Sequence, residues 1–334
     1  MDRITVISFG PLGLSIGLGL ARLELNDTEI VASSGSSVWR AQAKKSGAFA
    51  RIEPNLANVL KDTDLIVVDV PTVDVPGLFK VFGEKLNDAV IVTDTGLPKR
   101  QTIEWAQEYL GQRIQFVGGT PLPMKRMVSI DDAHGDAFVD SDYCIVPSDN
   151  ATPGAIKMVV GLAEGLGAQP LFISADEHDS YTTATTLLPR ILSSALMTSL
   201  SKSQSWPEVA RLAGSELENA LSGAGNDPDN TAADLGFNTD HVEHWLQGLI
   251  NELSAYKDAI AHGESTFEEA LTNAWEQRSR WKAGALRDEP ALNIPSTKET
   301  MMGMFLGRRL ARKINDMPVA AKEINSTYDG RKVS

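Results

Sequence analysis

The sequence runs to 334 residues, 42% of them hydrophobic and 22% charged, with a formal net charge of -13. That length allows two domains with cores of their own, and the composition is that of an ordinary globular chain. The acidic balance excludes non-specific nucleic-acid binding, which needs a basic surface. A single cysteine, Cys144, rules out an intramolecular disulfide and agrees with a reducing compartment. No apolar run reaches the length of a membrane span. Asp2 and Arg3 lead into a strand and a glycine turn rather than the core of a signal peptide. The expected setting is soluble and cytoplasmic.

The first predicted element is the strand ITVIS (4–8), which runs straight into FGPLG and an apolar, helix-like segment. This is the layout of a dinucleotide-binding turn, where glycines let the backbone approach a pyrophosphate at a helix N-terminus. The first glycine of G-x-G-x-x-G is missing: Ser8 stands there, followed by Gly10, Leu12 and Gly13. Serine is small and leaves ligand approach open. The motif follows a strand and opens a helix, the context it requires. Ser8, Gly10, Leu12 and Gly13 are therefore candidate cofactor contacts; a turn retained without a ligand is the alternative.

The second strand, EIVAS (29–33), ends in IVASSGSSVWR. A site selective for NAD places a carboxylate here for the ribose 2′-hydroxyl, and none occurs from Ile30 to Arg40. Ser33, Ser34, Ser36 and Ser37 can donate to a 2′-phosphate and Arg40 can add charge, so NADP is expected over NAD, with NAD still possible. A plain serine-rich turn would read the same way.

Further apolar runs follow at 64–70, 89–94, 114–119, 143–148 and 169–174, with helix-like stretches at 73–85, 99–110 and 153–165 between them. Buried strands alternating with helices imply a mainly parallel, doubly wound sheet. After Ser174 the texture turns helical, with segments expected at 176–203 (interrupted at Pro189), 206–221, 239–261 and 266–281, and a polar loop over 223–238. The expected fold is thus α/β, a Rossmann-type sheet over 1–174 followed by an all-helical domain over 175–290. The remainder, 291–334, reads as a basic terminal helix: residues 296–334 carry 8 Lys or Arg against 4 Asp or Glu, and Ser296 to Glu299 form a possible capping box. Its Met302, Leu306 and Leu310 stripe would pack on its own chain or a partner subunit, with a membrane surface or separate partner as the alternative.

In this order the motifs resemble those of the prephenate/arogenate dehydrogenase family, oxidoreductases of tyrosine biosynthesis. VDVP (68–71) closes a strand and supplies Val70 and Pro71. VTDTGLPK (92–99) is similar to the family's T-D-x-G-S-x-K and supplies Asp94, Gly96 and Lys99. GGTPLP (118–123), CIVP (144–147) and EHDSYTTATTLLPR (177–190) follow. The resemblance implies nicotinamide chemistry and a helical domain that builds a homodimer.

The departures fall on the chemistry. Thr120 stands where the family has a catalytic histidine, Leu97 where it has a serine, and Leu187 and Arg190 where it has two more histidines. The family's substrate-binding arginine has no clear counterpart; AGSELENA (213–220) is the nearest stretch. Oxidising prephenate or arogenate requires a base for the ring hydroxyl, a task suited to imidazole and closed to threonine. What remains is a basic set. Lys99, Lys125 and Thr120 are the candidate catalytic positions. Arg126, Thr186 and Arg190 are the candidate contacts for a small anionic, carboxylated substrate; surface cations are the plainer reading. His178 matches the family's E-H-D, but with Glu177 and Asp179 it could simply cap the helix start. His134, His241, His244 and His262 read as structural or exposed, and no metal site is expected. Two functions stay open: an NADP-dependent oxidoreductase with an altered substrate, and an inactive nucleotide-binding relative with a regulatory or scaffolding role.

Overall fold

The computed structural model describes residues 2–86, 89–123, 125, 127, 129–262 and 264–284. Arg126 and the tail 291–334, with its expected helix, lie outside them. The chain divides into two compact units after Ser174, with Ala175 opening the second.

In the first unit β1 (Asp2–Ser8) leads through the glycine turn to α1 (Pro11–Ala21) and β2 (Thr28–Ser33). There follow α2 (Ser37–Ser46), β3 (Arg51–Glu53), α3 (Ala57–Leu60), β4 (Leu65–Asp69) and α4 (Val75–Lys85). The unit closes with β5 (Ile91–Asp94), α5 (Lys99–Tyr109), β6 (Gln115–Pro121), β7 (Asp142–Pro147), α6 (Pro153–Gly165) and β8 (Gln169–Phe172). The eight strands form one sheet in the order β3-β2-β1-β4-β5-β6-β7-β8. Every pairing is parallel except β6 with β7.

The central strands are apolar on both faces because both are covered. Ile4 and Val6 of β1 and Leu65 and Val67 of β4 face a layer containing Leu14, Ile16, Trp39, Met158 and Leu162. Their neighbours Ile7, Ile66 and Val68 face Phe79, Phe82, Ala106 and Leu110. Parallel pairing brings the C-terminal ends of β1, β2, β4 and β5 to one edge, where the glycine turn sits.

The second unit is helical. α7 (Ala175–Thr182) passes through a π turn, Thr183–Leu187, into α8 (Leu188–Ser201). The interruption expected at Pro189 is this π turn: proline offers no N–H to the helix and crowds the preceding carbonyl, and the wider turn accommodates it. The helix expected over 206–221 is two, α9 (Trp206–Arg211) and α10 (Ser215–Leu221), parted before Gly214, which caps α10. The loop expected over 223–238 contains α11 (Pro228–Gly236), started by the Asp227 side chain accepting from Asn230 N–H at 2.8 Å with Pro228 at the first helical position. α12 (Thr239–His262) and α13 (Glu264–Lys282) complete the described residues.

Candidate functional site

The glycine turn is tied down on three sides. Ser8 Oγ donates to Asp69 Oδ2 at 2.7 Å, and Gly13 N–H donates to the same oxygen at 2.8 Å. Phe9 N–H donates to the Asp69 carbonyl at 3.2 Å, and Trp39 Nε1 donates to the Gly10 carbonyl at 2.9 Å. Gly13 is required by close approach, since a Cβ there would stand 2.4 Å from Ser8 Oγ and 2.9 Å from Asp69 Oδ2. Ser8 is fully buried and Leu12 is half-buried. Val70 and Pro71 continue β4 beyond Asp69, both half-buried.

At the end of β2 the serines organise the turn into α2. Ser34 Oγ accepts from Ser36 N–H at 3.2 Å, and Ser36 Oγ caps α2 by accepting from Trp39 N–H at 3.2 Å. Arg40 Nη1 donates to the Ser34 carbonyl at 2.7 Å, which places a cation on this turn. Ser33 and Ser34 are themselves buried. Glu53 faces Ser33 in the β2–β3 register, but its carboxylate accepts from Asn58 Nδ2 at 3.3 Å.

The corner between β5, α5 and β6 gathers Asp94, Gly96, Lys99 and Thr120. Lys99 is fully buried; its ammonium lies 2.7 Å from Asp94 Oδ2 and donates to the Gly96 carbonyl at 2.5 Å. Asp94 also accepts from Gly96 N–H and Gly119 N–H, each at 3.2 Å. Thr120 Oγ1 donates to the Gly96 carbonyl at 3.0 Å. Gly119 is needed here as well, because a Cβ would lie 2.8 Å from Thr93 Oγ1 and 2.9 Å from the Tyr143 hydroxyl. Burial, with the Asp94 carboxylate nearby, pushes the Tyr143 phenol well above its ordinary value. Burial likewise raises the Cys144 thiol to about 11, opposed by the charge of Lys99. Lys125 is exposed in the segment after β6. Further along, His134 N–H donates to Ser15 Oγ of α1 at 3.1 Å.

In the second unit Thr186 is half-buried within the π turn. Arg190 pairs with buried Asp234 at 3.5 Å and lines a cavity of about 730 Å³ with Ser194, Thr198, Ser199, Lys202 and Thr231. His178 lies inside α7, fully buried, with Nδ1 3.0 Å from Asp179 Oδ1. Among the described residues Asp176, Asp240 and His241 bring ligand-type atoms within 4.8 Å of one another, and His241 Nε2 lies 3.2 Å from Asp176 Oδ1.

Sequence reasoning missed Asp69 and Trp39. The signal for Asp69 was present: an acid closing the apolar run DLIVVDV, in a chain that has Ser8 where glycine is expected. Their pairing across 61 positions becomes visible only once β1 and β4 are neighbours.

Two family models match the chain: prephenate dehydrogenase, nucleotide-binding domain, over residues 22–171, and prephenate dehydrogenase, dimerization domain, over 174–274. The first match opens beyond the glycine turn. Prephenate dehydrogenase of Lactococcus lactis is 26% identical over 199 residues, covering 59% of this chain and 53% of that protein. The Bacillus subtilis prephenate dehydrogenase is 21% identical over 261 residues, covering 78% and 70%. The chain thus spans about half the length of the first relative. Among solved structures, Aquifex aeolicus prephenate dehydrogenase in complex with hydroxyphenyl propionate and NAD+ superposes with a TM-score of 0.76 at 20% identity, over 84% of this chain and 98% of that one. Synechocystis arogenate dehydrogenase gives 0.67 at 19% identity, over 84% and 99%. At these identities the structures show the fold.

Proposed function

Since the chain belongs to the prephenate/arogenate dehydrogenase family, we propose that it is an oxidoreductase using a nicotinamide dinucleotide, NADP in preference to NAD. Its substrate is a carboxylated molecule other than prephenate or arogenate. Thr120 carries this reading: it occupies the position that the family resemblance gives to histidine, and its hydroxyl is committed to the Gly96 carbonyl. A threonine there takes no proton at neutral pH. General acid–base assistance is typically worth about 10²–10⁴-fold, so turnover of prephenate or arogenate belongs at background.

The bound dinucleotide would accept or supply the hydride. The residues of the first unit fit such a ligand in three respects. Gly13 lets the start of α1 close onto β1, as a dinucleotide turn requires, Arg40 sits on the β2–α2 turn, and Ser36 caps α2 as an acceptor and keeps its hydroxyl proton for a phosphate. Lys99 and Asp94 hold the β5–α5 corner rigid from full burial. The exposed Lys125 is the better acid/base candidate, with Arg126 next to it in sequence as an anion contact; within the second unit Arg190 is the anion-contact candidate. The second reading, an inactive nucleotide-binding relative, is favoured by the inward commitment of both Lys99 and Thr120. The match to a dimerization domain, with Leu253, Ile260, Leu271, Trp275 and Trp281 exposed on α12 and α13, supports a homodimer. Light scattering giving a monomer mass across micromolar concentrations contradicts that assembly.

The function is tested by following nicotinamide absorbance with prephenate, arogenate and a panel of 2-keto and 3-hydroxy acids, on the wild type and Lys125→Met. Activity on another acid that falls about 10²–10⁴-fold in the variant is expected. Brisk prephenate oxidation overturns the substrate assignment, and activity that survives Lys125→Met removes that lysine from the mechanism.

A further inference from the structure

A helix N-terminus offers amide donors to an anion because its first N–H groups have no partner within the helix. In α1 most of these donors are already engaged or absent. Gly10, the N-cap residue, directs its N–H at Ser8 Oγ at 3.2 Å. Pro11, the first helical residue, has no N–H at all. Gly13 N–H is taken by the Asp69 carboxylate at 2.8 Å. Leu12 supplies the remaining amide of the turn.

Asp69 is more than an acceptor, since it brings a negative charge to the place where a pyrophosphate binds in a turn of this design. Its contacts are with neutral donors: Ser8 Oγ at 2.7 Å, Gly13 N–H at 2.8 Å and Thr95 Oγ1 at 2.9 Å. Ser8, in the position of the missing glycine, is the residue whose hydroxyl fixes that carboxylate. The two departures from the expected loop are therefore one device. Asp69 is half-buried, so its charge is felt at the surface of the turn.

We infer that Asp69, oriented by Ser8, is an internal anion that competes with the phosphates of the dinucleotide and sets how tightly this chain holds its cofactor. The inference rests on the nucleotide-binding reading above. Leu12 and Gly13 are adjacent, so a phosphate on Leu12 N–H would neighbour the carboxylate held by Gly13 N–H, and like charges about 5 Å apart repel. At the effective dielectric of a protein surface such repulsion corresponds to roughly a hundredfold in affinity, reduced by salt screening to about tenfold.

The test is fluorescence titration of NADH and NADPH into the full chain, as wild type, Asp69→Asn, and the double variant Ser8→Gly/Asp69→Ala. Asparagine keeps one oxygen to accept from both Ser8 Oγ and Gly13 N–H and turns its amide toward Thr95 Oγ1, while removing the charge. The double variant restores an untethered glycine turn and serves if asparagine alone disturbs folding. Both variants should bind about tenfold more tightly than wild type at about 0.15 M salt, and by more at lower salt. The advantage of Asp69→Asn should shrink at about 0.5 M salt, where charge interactions at these distances are screened; a purely structural role would leave it unchanged. Equal or weaker binding by folded variants overturns the inference while the nucleotide reading stands. If no protein of the set binds either nucleotide at millimolar concentration, the nucleotide reading falls and takes this inference with it.

Discussion

Two strand-end carboxylates in the first unit accept backbone amides in similar ways and do opposite things. Asp94, at the end of β5, is buried against the ammonium of Lys99 at 2.7 Å, so the corner it builds is close to neutral. Asp69, at the end of β4, is half-buried and meets hydroxyls and an amide, so its charge persists where a ligand would arrive. A carboxylate with a buried cation acts as scaffold; one held by neutral donors acts as an electrostatic element. The location of the counter-charge, more than the carboxylate itself, separates the two roles.

Breaking the first side of this comparison should have the largest effect. Lys99→Met leaves Asp94 buried without its cation, which typically costs about 3–5 kcal/mol, read as a lowered denaturant midpoint with unchanged slope. A loss below about 1 kcal/mol, the scale of exposed ion pairs, would show that Lys99 is not the scaffold of this corner. On the other side, Gly13→Ala forces a Cβ against Ser8 Oγ and Asp69 Oδ2 and should destabilise by about 1–3 kcal/mol. Adding Ser8→Gly should recover part of that loss; no recovery would mean that Ser8 is not what crowds the turn.

The smallest effect sharpens the neutral corner. Cys144 sits beside Lys99 with its thiol raised from about 9 to about 11, mainly by burial. The folded state therefore holds the proton more tightly than the unfolded chain. The stabilisation is complete below about pH 9 and is lost as pH rises toward 11. Cys144→Ser should flatten that part of a stability–pH curve, and a maleimide should label the wild type at pH 8 only after unfolding. Rapid labelling of the folded protein would contradict the enclosed corner.

Much of the first unit was legible because fully buried parallel strands are continuous apolar runs. β3 escaped notice because Arg51–Glu53 is three half-buried residues with no apolar signature. α11 was hidden inside a polar stretch whose start signal, Asp227 before Pro228, is local and easily read as a turn. For the site, motif order put Asp94, Gly96, Lys99 and Thr120 on one page of the sequence, and the fold brings them into one hydrogen-bonded cluster. Motif order could not show that Lys99 points inward, since burial depends on Gly118 and Gly119 leaving room for it and for Tyr143. Asp69 stayed invisible as a partner of Ser8 because its role is set by strand adjacency, not by spacing along the chain.

The most direct measurement is a calorimetric titration of the purified chain with NADPH and with NADH. The account predicts saturable binding of both, with NADPH the tighter because Arg40 and the serines of the β2–α2 turn meet its extra phosphate. Equal affinity or a preference for NADH would contradict the role given to that turn, and no binding of either would contradict the nucleotide site itself.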